Sequence, residues 1–130
     1  MKISAAVSRE GQPHPQIEEL DLEEPRVDEV RVRIAATGIC HTDIYCHSGR
    51  GVPIPRPIVL GHEGAGQVGM RIDGSSPLSQ NSERIPSADR LWQQGRFPFD
   101  RLVTEFPFQD IGQAWAACTA GKVLKVVLRM

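Results

Sequence analysis

No apolar run in this chain approaches the ~20 residues that a helix needs to span a bilayer. Nor is there a signal-peptide hydrophobic region, because Met1-Lys2-Ile3-Ser4 leads straight into an alternating pattern. An excess of one charge is missing too: 15 Lys and Arg stand against 16 Asp and Glu, a net charge of −1. That balance argues against a nucleic-acid partner and against a membrane surface. The three cysteines have no CxxC spacing and, without a secretory signal, they point to a reducing cytoplasm. What is left is an ordinary globular composition, 40% hydrophobic and 24% charged, over 130 residues. A chain of that size buries a core of its own as one domain. The expectation is a soluble cytoplasmic domain.

Hydrophobic alternation supplies the local structure. Ile3, Ala5 and Val7 share one face of a strand, and the Gly and Pro residues of 11–15 make a turn, which leaves His14 an exposed loop residue. Ile17 to Glu24 reads as a second strand with a solvated edge. Glu29 to Ala35 alternates most cleanly, with Val30, Val32 and Ile34 on a dry face against Arg31 and Arg33 on a wet one. A short helical turn is expected over Asp43 to His47, a loop from Ser48 to Pro57, and a buried strand at Ile58-Val59-Leu60. Short strands with frequent turns and little helix indicate a β-barrel-like unit.

After Gly69 the character changes. Asp73 to Ser82 is a Gly/Ser/Pro/Asn/Gln run and reads as a linker. Ala88, Leu91 and Trp92 then sit at helical spacing with Gly95 as a stop. Asp110 is placed to cap a helix that carries Ile111, Ala114, Trp115 and Cys118 on one face, closed by Gly121. A final strand from Val123 to Met130 aligns Leu124, Val126, Leu128 and Met130. Phe97, Phe99, Phe106 and Phe108 lie among arginines, but prolines 98 and 107 and the neutral chain favour ordinary packing over nucleic-acid stacking.

The chemistry gathers in two hexapeptides, Gly38-Ile39-Cys40-His41-Thr42-Asp43 and Gly61-His62-Glu63-Gly64-Ala65-Gly66. A thiolate and an imidazole are ligands that zinc prefers, and a catalytic zinc takes three protein ligands with one position open. Cys40 and His62 supply two; the carboxylates of Asp43 and Glu63 stand beside them, able to orient ligands or, for Glu63, to complete the set. Gly61, Gly64 and Gly66 allow tight turns around His62. Gly64-Ala65-Gly66-Gln67-Val68-Gly69 also spells the GxGxxG fingerprint of dinucleotide sites. That fingerprint works where a strand gives way to a helix, and here a Gly/Ser/Pro stretch follows. It is set aside.

Together the hexapeptides resemble those of zinc-dependent medium-chain alcohol dehydrogenases, and the Cys40-His41-Thr42-Asp43 variant is similar to the aryl (benzyl) alcohol branch. The resemblance implies an α+β fold, mainly β: a GroES-like β-barrel over residues 1–69, with C-terminal helices and a strand over residues 85–130 packed on it as one domain. Between them, residues 70–84 form a linker and deletion seam, since the family would there continue into a cysteine-rich lobe and a nucleotide-binding domain. No complete Rossmann domain is expected. The implied activity is NAD-linked oxidation of primary or aryl alcohols to aldehydes. In it Cys40, His62 and Glu63 serve the zinc, Thr42 and Asp43 are catalytic, and His41 lies beside the cofactor pyrophosphate. Tyr45 stands where many members place a relay histidine.

The family's third ligand is a cysteine of the missing region, leaving Cys46, His47, Cys118 or Glu63 as substitutes. Without the nucleotide-binding domain the chain is expected not to hold NAD or turn over alone. Three readings stay open. They are a dehydrogenase-derived chain inactive by itself, a zinc-binding or interaction module that self-associates through surface exposed by the missing domain, and an enzyme completed in trans.

Overall fold

The computed structural model describes residues 1–71 and 84–130. The linker expected over residues 73–82 lies outside them. Two sheets organise the chain. The first is built on β1 (Lys2–Ser8), paired antiparallel to β2 (Gln16–Asp21) and, at its other edge, to β4 (Ile58–Val59). Ala5 and Val7 are buried, as the alternation requires, and Gly11 turns the hairpin at φ +76°. A bidentate pair, Arg9 Nε and Nη2 to the Glu18 carboxylate at 2.8 Å each, braces its turn end. That guanidinium holds the Glu18 carboxyl below its ordinary value. The buried strand expected at Ile58–Leu60 is only two residues long, and Val59 is 50% exposed. Among the described residues it pairs with β1 alone, opposite Val7 and Ser8.

The second sheet has the order β5-β3-β7-β6, formed by β3 (Val30–Ile39), β5 (Gly64–Arg71), β6 (Val103–Pro107) and β7 (Lys125–Arg129). β3 is longer than the alternation suggested and runs right up to Cys40. It pairs antiparallel with both β5 and β7, while β7 runs parallel to β6. Residues of the C-terminal third therefore lie inside the sheet that carries the first hexapeptide.

The core sits on β7 and on α3 (Ile111–Thr119). Ile111, Ala114, Trp115 and Cys118 pack as one buried face against Val126, Leu128, Ile39 and Phe108, with Val126 wholly buried. The helix ends in a Schellman turn: the Gly121 amide donates to the Cys118 carbonyl and the Lys122 amide to that of Ala117, with Gly121 at φ +65°. Asp110 occupies the position before the helix, yet its side chain makes no capping hydrogen bond. The chain enters α3 from a 3₁₀ turn over Phe108–Asp110, so the first amides are approached from already wound backbone.

Several expectations are corrected. The two sheets are open and, among the described residues, no closed barrel forms. In consequence the row expected to be dry is not: Val30, Val32 and Ile34 are 46%, 39% and 39% exposed, while Arg31 is less exposed than its apolar neighbours. A cleft of about 320 Å³ separates the sheets, lined by Ile3, Ile34, Val59, Phe108 and Leu128. Leu124 and Met130 also stay outside the core that holds Val126 and Leu128, because β7 spans only Lys125–Arg129. The expected helix around Leu91 is present as α2 (Arg84–Gln93), stopped at Gly95 with φ +69°. Leu91 and Trp92 are poorly covered; Trp92 leans on Phe99, which in turn meets Phe97, each pair with ring centroids 5.7 Å apart. Among the described residues no helix is long and apolar enough to cross a membrane.

Candidate metal centre

β3 ends where the first hexapeptide begins, and α1 (His41–His47) starts immediately after it. Cys40 is the residue between them. Its backbone is extended (φ −102°, ψ 154°), and its amide donates to Asp43 Oδ2 at 2.9 Å, so a carboxylate in the first helical turn secures the amide that precedes it. Asp43 is buried, and its other oxygen, Oδ1, lies 3.5 Å from His62 Nδ1. One carboxylate thus orients both hexapeptides.

The second hexapeptide arrives from β4 through Gly61, whose φ of +126° turns the chain toward His62. Gly64 and Gly66 do a different job from the one expected: both lie in β5, paired with β3 rather than in a turn. The same strand contains Gly64 to Gly69, so the GxGxxG string opens no helix. The side-chain ligand atoms of Cys40, His62 and Glu63 lie within 4.8 Å of one another. Zinc bonds of about 2.0–2.3 Å set tetrahedral donors roughly 3.3–3.8 Å apart, so a common ion asks for side-chain shifts of the order of an ångström. A thiolate, an imidazole and a carboxylate form a donor set suited to zinc, and three ligands leave its fourth position free.

The other predicted residues spread around this cluster. Thr42 is exposed, and its Oγ1 accepts from Cys40 Sγ at 3.6 Å. His41 is exposed at the first position of α1. Tyr45 is exposed beneath the Arg50 guanidinium, 5.5 Å from its ring centre. Of the substitutes considered for a third ligand, His47 is committed elsewhere. Its Nδ1 shares a 2.7 Å hydrogen bond with Ser8 Oγ, its Nε2 one of 2.9 Å with the Gln12 carbonyl, and its ring meets Trp115 edge-on at 5.1 Å. Cys46 faces the loop at Gly51. Cys118 is in the core, where burial pushes its thiol up, against a smaller downward pull from Lys125. Of these four, Glu63 is the one that the geometry brings to Cys40 and His62.

One partner was not foreseen from the sequence. Lys125 Nζ, at the start of β7, donates to Glu63 Oε2, joining residues 62 positions apart. Both side chains are about one-third exposed. Neither alternation nor spacing in the sequence marks such a pair; only the central place of β7 in the sheet creates it.

Residues 26–79 match the alcohol dehydrogenase GroES-like domain. The chain is 48% identical over 68 residues to a geraniol dehydrogenase of Castellaniella defragrans, a stretch that covers 52% of this chain and 18% of that protein. It is 47% identical over 68 residues to an S-(hydroxymethyl)glutathione dehydrogenase of Komagataella pastoris, with the same coverage. Over 82 residues it is 39% identical to a class-3 alcohol dehydrogenase of Myxine glutinosa, covering 63% of this chain and 22% of the relative. The chain thus spans about a fifth of the length of these relatives. No solved structure matches it. The chain is thus similar to alcohol dehydrogenases over part of its length, and within that part residues 26–79 match the GroES-like domain.

Proposed function

We propose that this chain is the zinc-holding portion of an alcohol dehydrogenase acting on primary or aryl alcohols with NAD, and that it does not turn over alone. The observation that carries the reading is the convergence of Cys40, His62 and Glu63, from two separate segments, on one small volume. Cys40, His62 and Glu63 would hold the ion, and Asp43 fixes the first two through the Cys40 amide and the His62 ring. Bound there, zinc would supply Lewis-acid chemistry toward the oxygen of an alcohol.

The chain's own residues set up the rest. Thr42 places a hydroxyl beside the Cys40 sulfur, at the mouth of the cluster, where a substrate proton can be taken up and passed on. His41, exposed at the start of α1, is free to meet an anionic group such as a cofactor pyrophosphate. Hydride transfer also needs a held acceptor, and the matched stretch is the GroES-like part of the relatives rather than a nicotinamide site. The substrate follows the branch that Cys40-His41-Thr42-Asp43 is similar to, benzyl-type alcohols.

Elemental analysis of the purified chain tests this directly. One zinc per chain is expected, lost on Cys40→Ala, with no benzyl-alcohol-dependent NAD reduction by either protein. Folded protein without zinc would overturn the metal assignment; steady turnover by the isolated chain would overturn the claim that it needs a further domain.

A further inference from the structure

We infer that Lys125 is a positioning residue that competes with the metal for Glu63, so that strand β7 sets how tightly the ion is held. This rests on the zinc reading above. Glu63 is at once a member of the cluster with Cys40 and His62 and the acceptor of the Lys125 ammonium. A carboxylate shared with an ammonium is a weaker donor to a cation, and the ammonium itself repels a dication placed beside it. Both side chains are largely shielded from water, so solvent screens this opposition only in part.

The surroundings are shaped for the pair. β3 passes directly beneath it at Gly38, where a Cβ would run into Glu63 Oε2 and come within 2.9 Å of Lys125 Cε and 3.0 Å of its Nζ. The Gly38 amide donates to the Glu63 carbonyl at 3.3 Å, which fixes the backbone from which the carboxylate extends. Burial raises the Cys118 thiol's pKa, and Lys125 opposes that rise with a smaller downward pull. The consequence is a third ligand that binds the ion only in part: with Lys125 in place the Glu63 carboxylate is shared with β7, and without it Glu63 closes fully on the ion.

The test is zinc affinity, measured by competition with a chelating indicator, on wild type, Lys125→Met, Lys125→Arg, Glu63→Gln and the Lys125→Met/Glu63→Gln double variant. Cobalt absorption spectra of the same proteins report coordination without any turnover. Lys125→Met is expected to bind zinc about tenfold more tightly, a change of about 1.4 kcal/mol. Its cobalt spectrum should shift as the Glu63 oxygen binds more strongly, while Lys125→Arg behaves as wild type. The gain should vanish in the double variant, because it acts through the Glu63 carboxylate. Zinc bound by Lys125→Met with equal or lower affinity overturns the role of Lys125 and leaves the metal site standing. So does a gain that survives Glu63→Gln. No zinc uptake by wild type or by Lys125→Met, both folded by circular dichroism, overturns the metal site and the role together.

Discussion

Trp115→Ala is expected to lower the unfolding free energy by about 4 kcal/mol, the loss found when a large buried aromatic is truncated. Trp115 is 6% exposed and belongs to the buried core cluster, where it packs with Ile39, Ile111 and Leu128. It also closes over His47, whose ring nitrogens are both hydrogen-bonded beneath it. Removing the indole opens a cavity and lets water reach that buried polar pair. Since single domains hold only about 5–15 kcal/mol in reserve, the variant sits near the limit of folding. A urea titration followed by circular dichroism measures it, with a fall in melting temperature of about 10 °C or more. Trp92→Ala is the control: Trp92 is 42% exposed, rests on Phe99 and donates to Asp100 near the surface, so its loss costs under about 1 kcal/mol. Equal losses from the two tryptophans would contradict the placement of the core on α3.

Gly66→Ala carries the next largest effect. A methyl group at Gly66 would overlap the Arg33 carbonyl and stand 2.9 Å from the Ile34 Cα, both backbone groups of β3. No side chain is there to swing away, so β5 or β3 has to shift, and the pairing already steps at this point between Ile34 and Ala36. The expected loss is about 3 kcal/mol, at the upper end of overpacking. Two residues earlier, Gly64→Ala meets only Ile34 Cδ1, at 3.4 Å, a contact that a flexible side chain absorbs. Comparing the two by thermal unfolding separates the glycine that β3 needs from the one it does not. A Gly66→Ala protein as stable as Gly64→Ala would show that the two strands are not so close.

Those two glycines show where reading the sequence reaches its limit. In the string Gly64-Ala65-Gly66 nothing distinguishes them; only the passage of β3 alongside does. What was legible is what a single element decides for itself. The helical spacing of Ile111, Ala114, Trp115 and Cys118, and Gly121 as its terminator, describe α3 because one face and one cap suffice. The alternation of Val30, Val32 and Ile34 was equally clear, but it says which residues share a face, not whether anything covers that face. Closure between sheets is a property of two sheets, and here they stay apart.

The residues of the candidate metal centre drew notice in the sequence for the same reason as α3. Cys40 and His62 announce themselves by chemistry, and Asp43 by its place in the turn that follows Cys40. The Lys125 contact to Glu63 was not legible, because it depends on which strand β7 lies beside. His47 was misplaced among possible ligands since its partners, Ser8 and the Gln12 carbonyl, come from the first hairpin.

The interior position of β7 also governs the order in which the protein assembles. β3 can pair with β5 as soon as both exist, whereas Ala36 must wait for Arg129. Contacts between distant segments form late, because the entropy of closing the intervening chain is lost before any bond repays it. Until Lys125–Arg129 dock, one side of β3 presents unpaired amides and carbonyls, and a two-stranded ribbon has little stability of its own. A growing chain therefore passes through an interval in which a second nascent copy can take the place meant for β7.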